Sequence, residues 1–423
     1  MTNLFLPLNE PVRTDLERLF PLLEQLFPIP GRFRARLPQD VAELSRQLTS
    51  ERPRRDAGYL GQKALLSAYL HYFMPWNVFR LCRLLPALDI ELNEGDAVTD
   101  LGSGPLTLPI ALWMCRPDLR ELPLEFRCLD RTAAILDAGK RIMQALPSQW
   151  KIRTIRGSLG ERIEGKPAKL VTAINVFNEL FWDTHDGPRL VAERYGPVLS
   201  ALAAEEGLIL IVEPGIPRSG EFISLMREGL LSLGRVPRAP CTHSAACPLP
   251  GGRRGAKWCH FAFDTDEAPE ALHRLSRAAG LPKERATMSF LLAGPPLRGF
   301  RPDAAGKAEP AVAMPSLPAP AAAPAATAMG ATASAVQAGS AAIGHKLAFR
   351  VLSDPFPLGD KATFSRGSLL LGRYACSEKG LVLLRGQAGR IQGLAAGAYA
   401  EVQGRDLQRE RDKKSGAQII NLM

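Results

Sequence analysis

Apolar residues recur at three-to-four spacing over Asp15 to Phe27, Asp40 to Leu48 and Tyr59 to Leu88. That is the period of helices with one face turned to a core. Pro28, Pro30, Pro53 and Pro75 interrupt them, so residues 1–92 are expected to form a helical N-terminal region. From Ala97 the pattern changes. Short apolar or β-branched runs, many ending in a polar residue, alternate with amphipathic stretches. The runs are Ala97 to Thr99 ending in Asp100, Leu124 to Leu129 ending in Asp130, Lys151 to Ile155, Leu170 to Val176, and Leu208 to Val212. Helical segments fall around Ala133 to Ala145 and Pro188 to Ala204. This alternation predicts an α/β fold, a Rossmann-like doubly wound parallel sheet with helices on both faces. Trp258 to Asp264 and Ala286 to Ala293 are expected as its last, antiparallel strands, with Ala268 to Gly280 as a helix. The main domain so defined covers residues 93–300.

Residues 301–344 read as an Ala/Pro-rich linker, with APAAAPAATAMGATASA in place of bulky apolar side chains, and cannot build a core. Beyond it, LAFRVL, SLLLGRY and GLVLLRG lie between Gly and Pro turns, which predicts a small β-rich C-terminal domain over residues 345–423. RDLQRERDKK (Arg405 to Lys414) alternates charges and reads as a solvated helix end.

The chain's 423 residues suffice for two or three domains. A net charge of +10 and a pI near 9.4 favour an anionic partner without naming one. Two basic clusters, Arg32, Arg34 and Arg36, then Arg52, Arg54 and Arg55, are either solvated loops or phosphate contacts of a cap over a crevice. Seven cysteines, odd in number and unevenly spaced, argue against a disulfide framework. Residues 1–30 carry Asp15, Glu17 and Glu24 among prolines, unlike a signal or transit peptide, and no apolar run is long enough to span a bilayer. The expectation is a soluble, cytoplasmic protein without a membrane partner.

The stretch VTDLGSGPLTLP (Val98 to Pro109) carries the first candidate chemistry. A strand reaches Asp100, Gly102-Ser103-Gly104 turns the chain, and Pro105 suits the first turn of a helix with an apolar face of Leu108, Leu112 and Met114. Glycines permit close backbone approach to a ligand, and the helix's unpaired N–H groups face the same crevice. A pyrophosphate would meet repulsion from Asp100, whereas the ammonium of S-adenosylmethionine can donate to it. Asp130, somewhat more than 20 residues past the turn, suits the two hydroxyls of a ribose, or the N-cap of the next helix. Asp100, Gly102, Ser103, Gly104 and Asp130 are therefore the candidate cofactor residues. Asn178 and Glu179, after the fourth strand, are candidates for the substrate-facing edge, with helix capping as the plainer role. Neither an N/D-P-P-Y/F/W sequence nor a Pro-Cys nucleophile follows that strand. In-line methyl transfer depends mainly on positioning, so catalytic residues are not identified.

The second signal is Cys241-Thr-His243-Ser-Ala-Ala-Cys247-Pro-Leu-Pro, followed through GGRRGAK by Trp258-Cys259-His260. Three cysteines within 19 residues of a Pro/Gly loop are placed for a metal. Cys82, Cys115 and Cys128 sit instead in apolar periodic runs, where buried thiols pack as small hydrophobes. A fourth ligand is open between His243, His260 and the distant Cys376, and spacing does not separate zinc from iron–sulfur. Arg253, Arg254 and Lys257 lie in the same loop, where they either meet RNA phosphates or form an idle tip.

Together, DLGSG, VFNEL, VEPG, C-x5-C-P-L and W-C-H-F resemble the methyltransferase-like assembly factors of the small ribosomal subunit, found in bacteria and mitochondria. The likeness runs from about Tyr59 to Gly294 and resumes near Cys376. It implies a class I S-adenosylmethionine methyltransferase fold. It also implies a 4Fe–4S cluster on Cys241, Cys247, Cys259 and Cys376, and work on or with the small ribosomal subunit and its 16S rRNA. Methyl transfer itself is inferred in that family more than established. The alternatives are a non-catalytic rRNA-binding assembly factor of the same fold, or a zinc-bound small-molecule methyltransferase. Three departures stand out: Leu106 where a glycine is common, a cysteine loop widened by Gly251 to Gly255, and the 301–344 insertion before Cys376. Closing a loop of that size costs roughly 4 kcal/mol, against about 10 kcal/mol or more from a structural metal–thiolate site. The insertion is therefore tolerable.

Overall fold

The computed structural model describes residues 3–49, 62–183, 187–252, 256–296, 346–358, 370–403 and 407–422. Its first helices are α1 (Glu10–Leu26), α2 (Gly31–Arg34), α3 (Leu37–Thr49), α4 (Lys63–Ala68) and α5 (Met74–Leu84). Between α4 and α5 the turn widens to a π-helix at Tyr69–Phe73, and Pro75 falls at the start of α5, where a missing N–H does no harm. The long helix expected from Tyr59 thus begins, among the described residues, at Lys63. Arg52, Arg54 and Arg55 lie outside the described residues. The other basic cluster is committed locally: Arg34 pairs with Glu24 at 3.1 Å, Arg36 with Asp40 at 3.1 Å, and Arg32 lies over the Phe33 ring.

The main sheet contains β1 (Ala97–Leu101), β2 (Glu125–Asp130), β3 (Lys151–Arg156), β4 (Ala168–Ile174), β5 (Ala203–Pro214), β6 (Val236–Ala239), β7 (Phe261–Asp264) and β8 (Arg285–Gly294). Its order is β3-β2-β1-β4-β5-β8-β6, with β7 also on β8. The first five strands are mutually parallel, and β8 returns antiparallel to β5, β6 and β7. A parallel half reversing between β1 and β4, closed by an antiparallel strand, is the class I methyltransferase fold. The helices α6 (Thr107–Cys115), α7 (Ala133–Gln144), α8 (Phe177–Asp183), α9 (Pro188–Leu202), α10 (Pro217–Ser232) and α11 (Glu270–Ala278) fall between strands. They serve two apolar layers. One, with α1, α3, α5, α6 and α7, covers one face of the sheet, and the other, with α9 and α10, covers the opposite face. The near-continuous apolar runs of β4 and β5 follow from burial on both faces.

A second sheet holds β9 (Lys346–Val351), β10 (Phe356–Pro357), β11 (Leu370–Ser377), β12 (Gly380–Gln387), β13 (Tyr399–Gln403), β14 (Leu407–Arg411) and β15 (Gln418–Leu422), with α12 (Ala388–Gln392) on it. It has its own apolar core around Phe349, Val351, Val382, Leu384 and Ile420. RDLQRERDKK is a strand here rather than a helix end. Leu407–Arg411 of it is β14, paired with β15, and Asp412 then turns the chain by accepting from the Ser415 N–H at 2.9 Å, while Arg405 and Asp406 lie outside the described residues. The two sheets meet at several points, and the N-terminal segment is caught between them. Leu4 N–H donates to the Gly397 carbonyl at 3.1 Å, and Tyr399 N–H to Asn3 Oδ1 at 2.9 Å. Phe5 stacks on Phe263 with ring centroids 4.7 Å apart, and Arg83, 4 % exposed, donates to the Phe5 carbonyl and to Glu267. Among the described residues no helix is long and apolar enough to cross a membrane.

Candidate functional site

Two sites emerge, one at the carboxyl ends of the parallel strands and one where the sheets meet. The first is a crevice of about 170 Å³ lined by Tyr69, Gly102, Gly104, Asp130, Asn175 and Glu179, among others. It opens where the strand order reverses, the place the topology provides for a ligand. The turn after β1 has three left-handed residues in alternation: Gly102, Gly104 and Leu106, with φ of 63°, 54° and 58°. Gly102 has no room for a side chain, since a Cβ would lie 2.4 Å from Val176. Leu106 takes the left-handed cap position itself, so the helix begins at Thr107 and Pro105 lies outside its first turn. Its side chain is fully buried. The close helix approach that a third glycine would serve occurs instead at Gly139 of α7, where a Cβ would meet the Pro105 backbone at 2.4 Å.

Ser103 fastens the turn to both strands: its hydroxyl donates to the Asp100 carbonyl at 2.8 Å and its N–H to the Leu129 carbonyl at 2.9 Å. Asp100 is 1 % exposed and does not line the crevice; its Oδ1 accepts from the Thr172 hydroxyl at 2.6 Å. Burial raises its pKa to about 7. Asp130 does line the crevice. Its two oxygens accept from Gly104 N–H at 3.0 Å and Thr132 N–H at 2.9 Å, so it ties the glycine turn to the start of α7 while facing the cavity. Burial raises its pKa against the pull of those N–H donors.

Asn178 and Glu179 part company. Glu179 lines the crevice and pairs with Arg131 at 3.7 Å. Asn178 is buried, and its N–H, with those of Val176 and Phe177, donates to the Glu213 carboxylate at 2.8–3.1 Å. Glu213 comes from the end of β5 and is fully buried, and burial lifts its pKa to about 8 in spite of these three donors. It fastens the start of α8, supplying from another strand the cap that the helix's own sequence lacks.

Two crevice residues carried no clear signal in the sequence. Asn175 adopts φ 57°, a region asparagine tolerates, and its Oδ1 is buried without a hydrogen-bond partner in the described structure. Its place directly before VFNE was the available hint. Tyr69 arrives from the π-helix of the N-terminal region, so only long-range packing brings it there.

At the junction of the sheets stand the cysteines. The segment after β6 carries Cys241 and Cys247, Cys259 precedes β7, and Cys376 lies on β11 in register with Arg350 of β9. His243 Nε2 is 3.5 Å from Cys376 Sγ, so the remote cysteine stands against the loop. Burial raises the pKa of Cys241, Cys259 and Cys376, and nearby thiols push further: Cys241, Cys247 and Cys376 act on Cys259, and Cys241 and Cys247 on Cys376. Arg227 opposes this at all three. His243 is lowered to about 4 by burial and by Arg227, against the opposing pull of the Ala245 backbone. His260 is turned aside, its Nδ1 on the Trp258 carbonyl and its ring stacked on Trp258 at 4.7 Å. Among the described residues no group of three His, Cys, Asp or Glu stands close enough to hold a single metal ion. Cys82, Cys115 and Cys128 are buried in the core, as their runs predicted. Arg253 and Arg254 lie outside the described residues, while Lys257 sits over the Tyr374 ring.

Residues 65–306 match the family described as Rsm22, mitochondrial small ribosomal subunit. No curated protein matches the chain. Solved structures similar to it include a methyltransferase from Pyrococcus furiosus (7 % identity, 48 % of this chain and 77 % of that one, TM-score 0.29). A second is an S-adenosylmethionine-dependent methyltransferase from Geobacter sulfurreducens in complex with S-adenosyl-L-homocysteine (14 %, 52 % and 91 %, TM-score 0.30). A third is geranyl diphosphate C-methyltransferase from Streptomyces coelicolor (12 %, 52 % and 82 %, TM-score 0.29).

Proposed function

This chain belongs to the Rsm22 family, and from that premise we propose that it is an S-adenosylmethionine-binding, methyltransferase-like protein acting on or with small-subunit rRNA during ribosome assembly. The observation that carries the reading is the crevice itself: a glycine turn whose Gly104 N–H is held by Asp130, with both groups facing one cavity at the switch point of a class I sheet. S-adenosylmethionine supplies an electrophilic methyl group on a sulfonium. Gly102 and Gly104 let the backbone lie against its amino-acid part, Asp130 accepts from its ribose hydroxyls, and Asn175 Oδ1 offers an acceptor toward whatever occupies the cavity. Asp100 acts behind the wall, holding β4 through Thr172. Glu179 stands at the substrate edge, and Asn178 serves α8 rather than substrate.

The second reading, an assembly factor that keeps the fold without transferring methyl groups, is favoured by size. The crevice of about 170 Å³ falls below the roughly 300–1,000 Å³ of sites that enclose a ligand of this kind. Calorimetry with S-adenosylmethionine, followed by transfer of labelled methyl to immature small subunits, tests both: binding with transfer supports the enzyme, and neither leaves the assembly role alone. An absence of small-subunit association would remove the ribosomal reading.

Cys241, Cys247, Cys259 and Cys376 are the candidate donors of a shared inorganic centre, with His243 of the loop 3.5 Å from Cys376. Thiolate donors serve zinc and iron–sulfur centres alike; the choice of 4Fe–4S over zinc comes from the resemblance. Iron and sulfide assays on anaerobically purified protein decide it: stoichiometric zinc, or no metal, overturns the cluster.

A further inference from the structure

A cavity of about 310 Å³ opens where the two sheets meet, and its walls carry Lys257, Trp258 and His260 from the main sheet's side and Asp354 and Tyr374 from the second sheet's. The cofactor crevice makes no use of it. Its aromatic side chains are fixed in advance. Trp258 donates its indole N–H to the Gly215 carbonyl at 3.2 Å and packs so tightly on α10 that a Cβ at Gly220 would lie 2.6 Å from its ring. The His260 ring is stacked on it with planes within 20° of parallel. Tyr374 donates its hydroxyl to Asp412 at 3.1 Å and leans on Phe356, ring centroids 5.0 Å apart. Side chains held in this way lose little freedom when a ligand stacks on them.

The charge at the mouth is cationic. Lys257 is exposed, with its ammonium 3.0 Å from the centre of the Tyr374 ring. Partial burial, with Lys414 nearby, lowers its pKa against the pull of Asp412. The acids are already engaged: Asp412 accepts from Tyr374 and from the Ser415 N–H, and Asp354 pairs with Arg285 at 2.8 Å. A phosphate between the two lysines relieves their repulsion.

We propose that this cavity takes one unstacked base of a single-stranded RNA, with the adjoining phosphate on Lys257 and Lys414. Every base offers a π-face, so such stacking tolerates any sequence, whereas a duplex hides those faces and is read by shape and phosphates. At about 310 Å³ the cavity is at the small end of the roughly 300–1,000 Å³ of ligand sites, which suits a single base. A cation over an exposed ring is weakly held, so Lys257 yields the Tyr374 ring to the base and turns to the phosphate. The cavity also shares a rim with the crevice. Asn77 hydrogen-bonds both Tyr69 of the crevice and Arg80, and Arg80 donates to the Thr287 carbonyl at 3.0 Å. Thr287 packs on Gly215, which holds Trp258. A strand seated here therefore runs along the sheet edge that carries the crevice. This inference rests on the reading of the chain as a partner of small-subunit rRNA, and the test keeps the two apart.

Full-length protein is titrated into fluorescein-labelled oligo(U), oligo(A) and an RNA duplex of equal length, with anisotropy read across salt concentrations. Wild type should prefer either single strand to the duplex. Tyr374→Leu should bind single strands about tenfold more weakly at an unchanged salt slope, and Tyr374→Phe, which keeps the ring, within about twofold of wild type. His260→Leu, on the opposite wall, should follow Tyr374→Leu and replaces it if that variant does not fold. Lys257→Gln, at an exposed position, should lower the slope of log K against log salt by about 0.7. Melting temperatures and metal content matched to wild type separate these effects from damage to the fold or the cysteines. If the Leu variants bind single strands as wild type does, or the duplex binds better, the base site is overturned while the ribosomal reading stands. If wild type associates with small subunits but binds no single strand, a protein contact takes the place of RNA and the base site is likewise overturned. If it does neither, both readings fall.

Discussion

At the mouth of the parallel strands the buried charges are acids: Asp100, Asp130 and Glu213 enter from β1, β2 and β5. At the junction with the second sheet they are arginines: Arg227 donates to the His243 and Ala245 carbonyls, and Arg350 to the Pro240 carbonyl. Burial penalises both sets, with opposite results. The acids answer by holding protons, with Asp100 raised to about 7 and Glu213 to about 8. Arg350 is lowered only to about 10 and stays charged at neutral pH. The two acids buried behind the crevice thus carry less charge near neutral pH than free carboxylates would, whereas Arg350 at the junction keeps its charge. The crevice is also built within one sheet, while the junction draws residues from both.

The largest test of that contrast is Cys376→Ser. Metal content should fall from stoichiometric to near zero, while a Cys82→Ser control, changed in the core, should retain it. Cofactor binding should stay within about twofold in both variants, because the crevice takes nothing from the second sheet. The next test concerns Glu213. Between its ordinary 4.5 and about 8 the folded protein keeps a proton that the unfolded chain releases, so stability falls as pH rises from about 5 to about 8. The fall amounts to at most roughly 5 kcal/mol. Glu213→Gln should flatten that slope, measured by urea unfolding across pH, leaving the smaller slope of Asp100 that ends near 7. Third, Asp130→Ala removes a ribose acceptor and a partner of two N–H groups. S-adenosylmethionine binding should weaken about 10-fold or more, since a hydrogen bond to a charged group is worth about 1.5–3 kcal/mol. The smallest effect is at the turn. Leu106→Gly relieves about 1–2 kcal/mol of left-handed strain but empties a fully buried leucine site worth about 2–5 kcal/mol. A net loss of roughly 1–2 kcal/mol, seen as a lower Tm, would show that packing placed leucine there; a gain would show that it did not.

The same contrast explains what was legible in the sequence. The crevice lies in motifs a few residues long, with strand ends at Asp100 and Asp130 and a glycine turn between, so the doubly wound sheet and its ligand edge could be read from pattern. Neighbouring strands decided the remainder. Asp100 points at Thr172 on the adjacent strand and Asn178 gives its N–H to Glu213, neither of which has a local signature. Cys376 could be read as one of three candidates for a fourth ligand, and only the resemblance preferred it to His243 and His260, since nothing in RYACSEKG points to a partner 117 residues upstream of it, at Cys259. Arg227 was invisible: it lies in an ordinary amphipathic helix, and its environment exists only once the loop folds over it. RDLQRERDKK failed for a related reason, because edge pairing in a sheet overrides the charge pattern of a segment.

The contact of Leu4 with Gly397 sets a timetable for biosynthesis. A polypeptide emerges amino end first at about 5–20 residues per second, so Phe5 waits roughly 20 to 80 s for the strand that shelters it. Through that interval an aromatic side chain destined for the Phe261, Phe263 and Phe290 cluster lacks part of its cover, which invites a chaperone's attention. The Ala/Pro-rich stretch lengthens the delay. Residues made well before their partners thus wait longest to find their place.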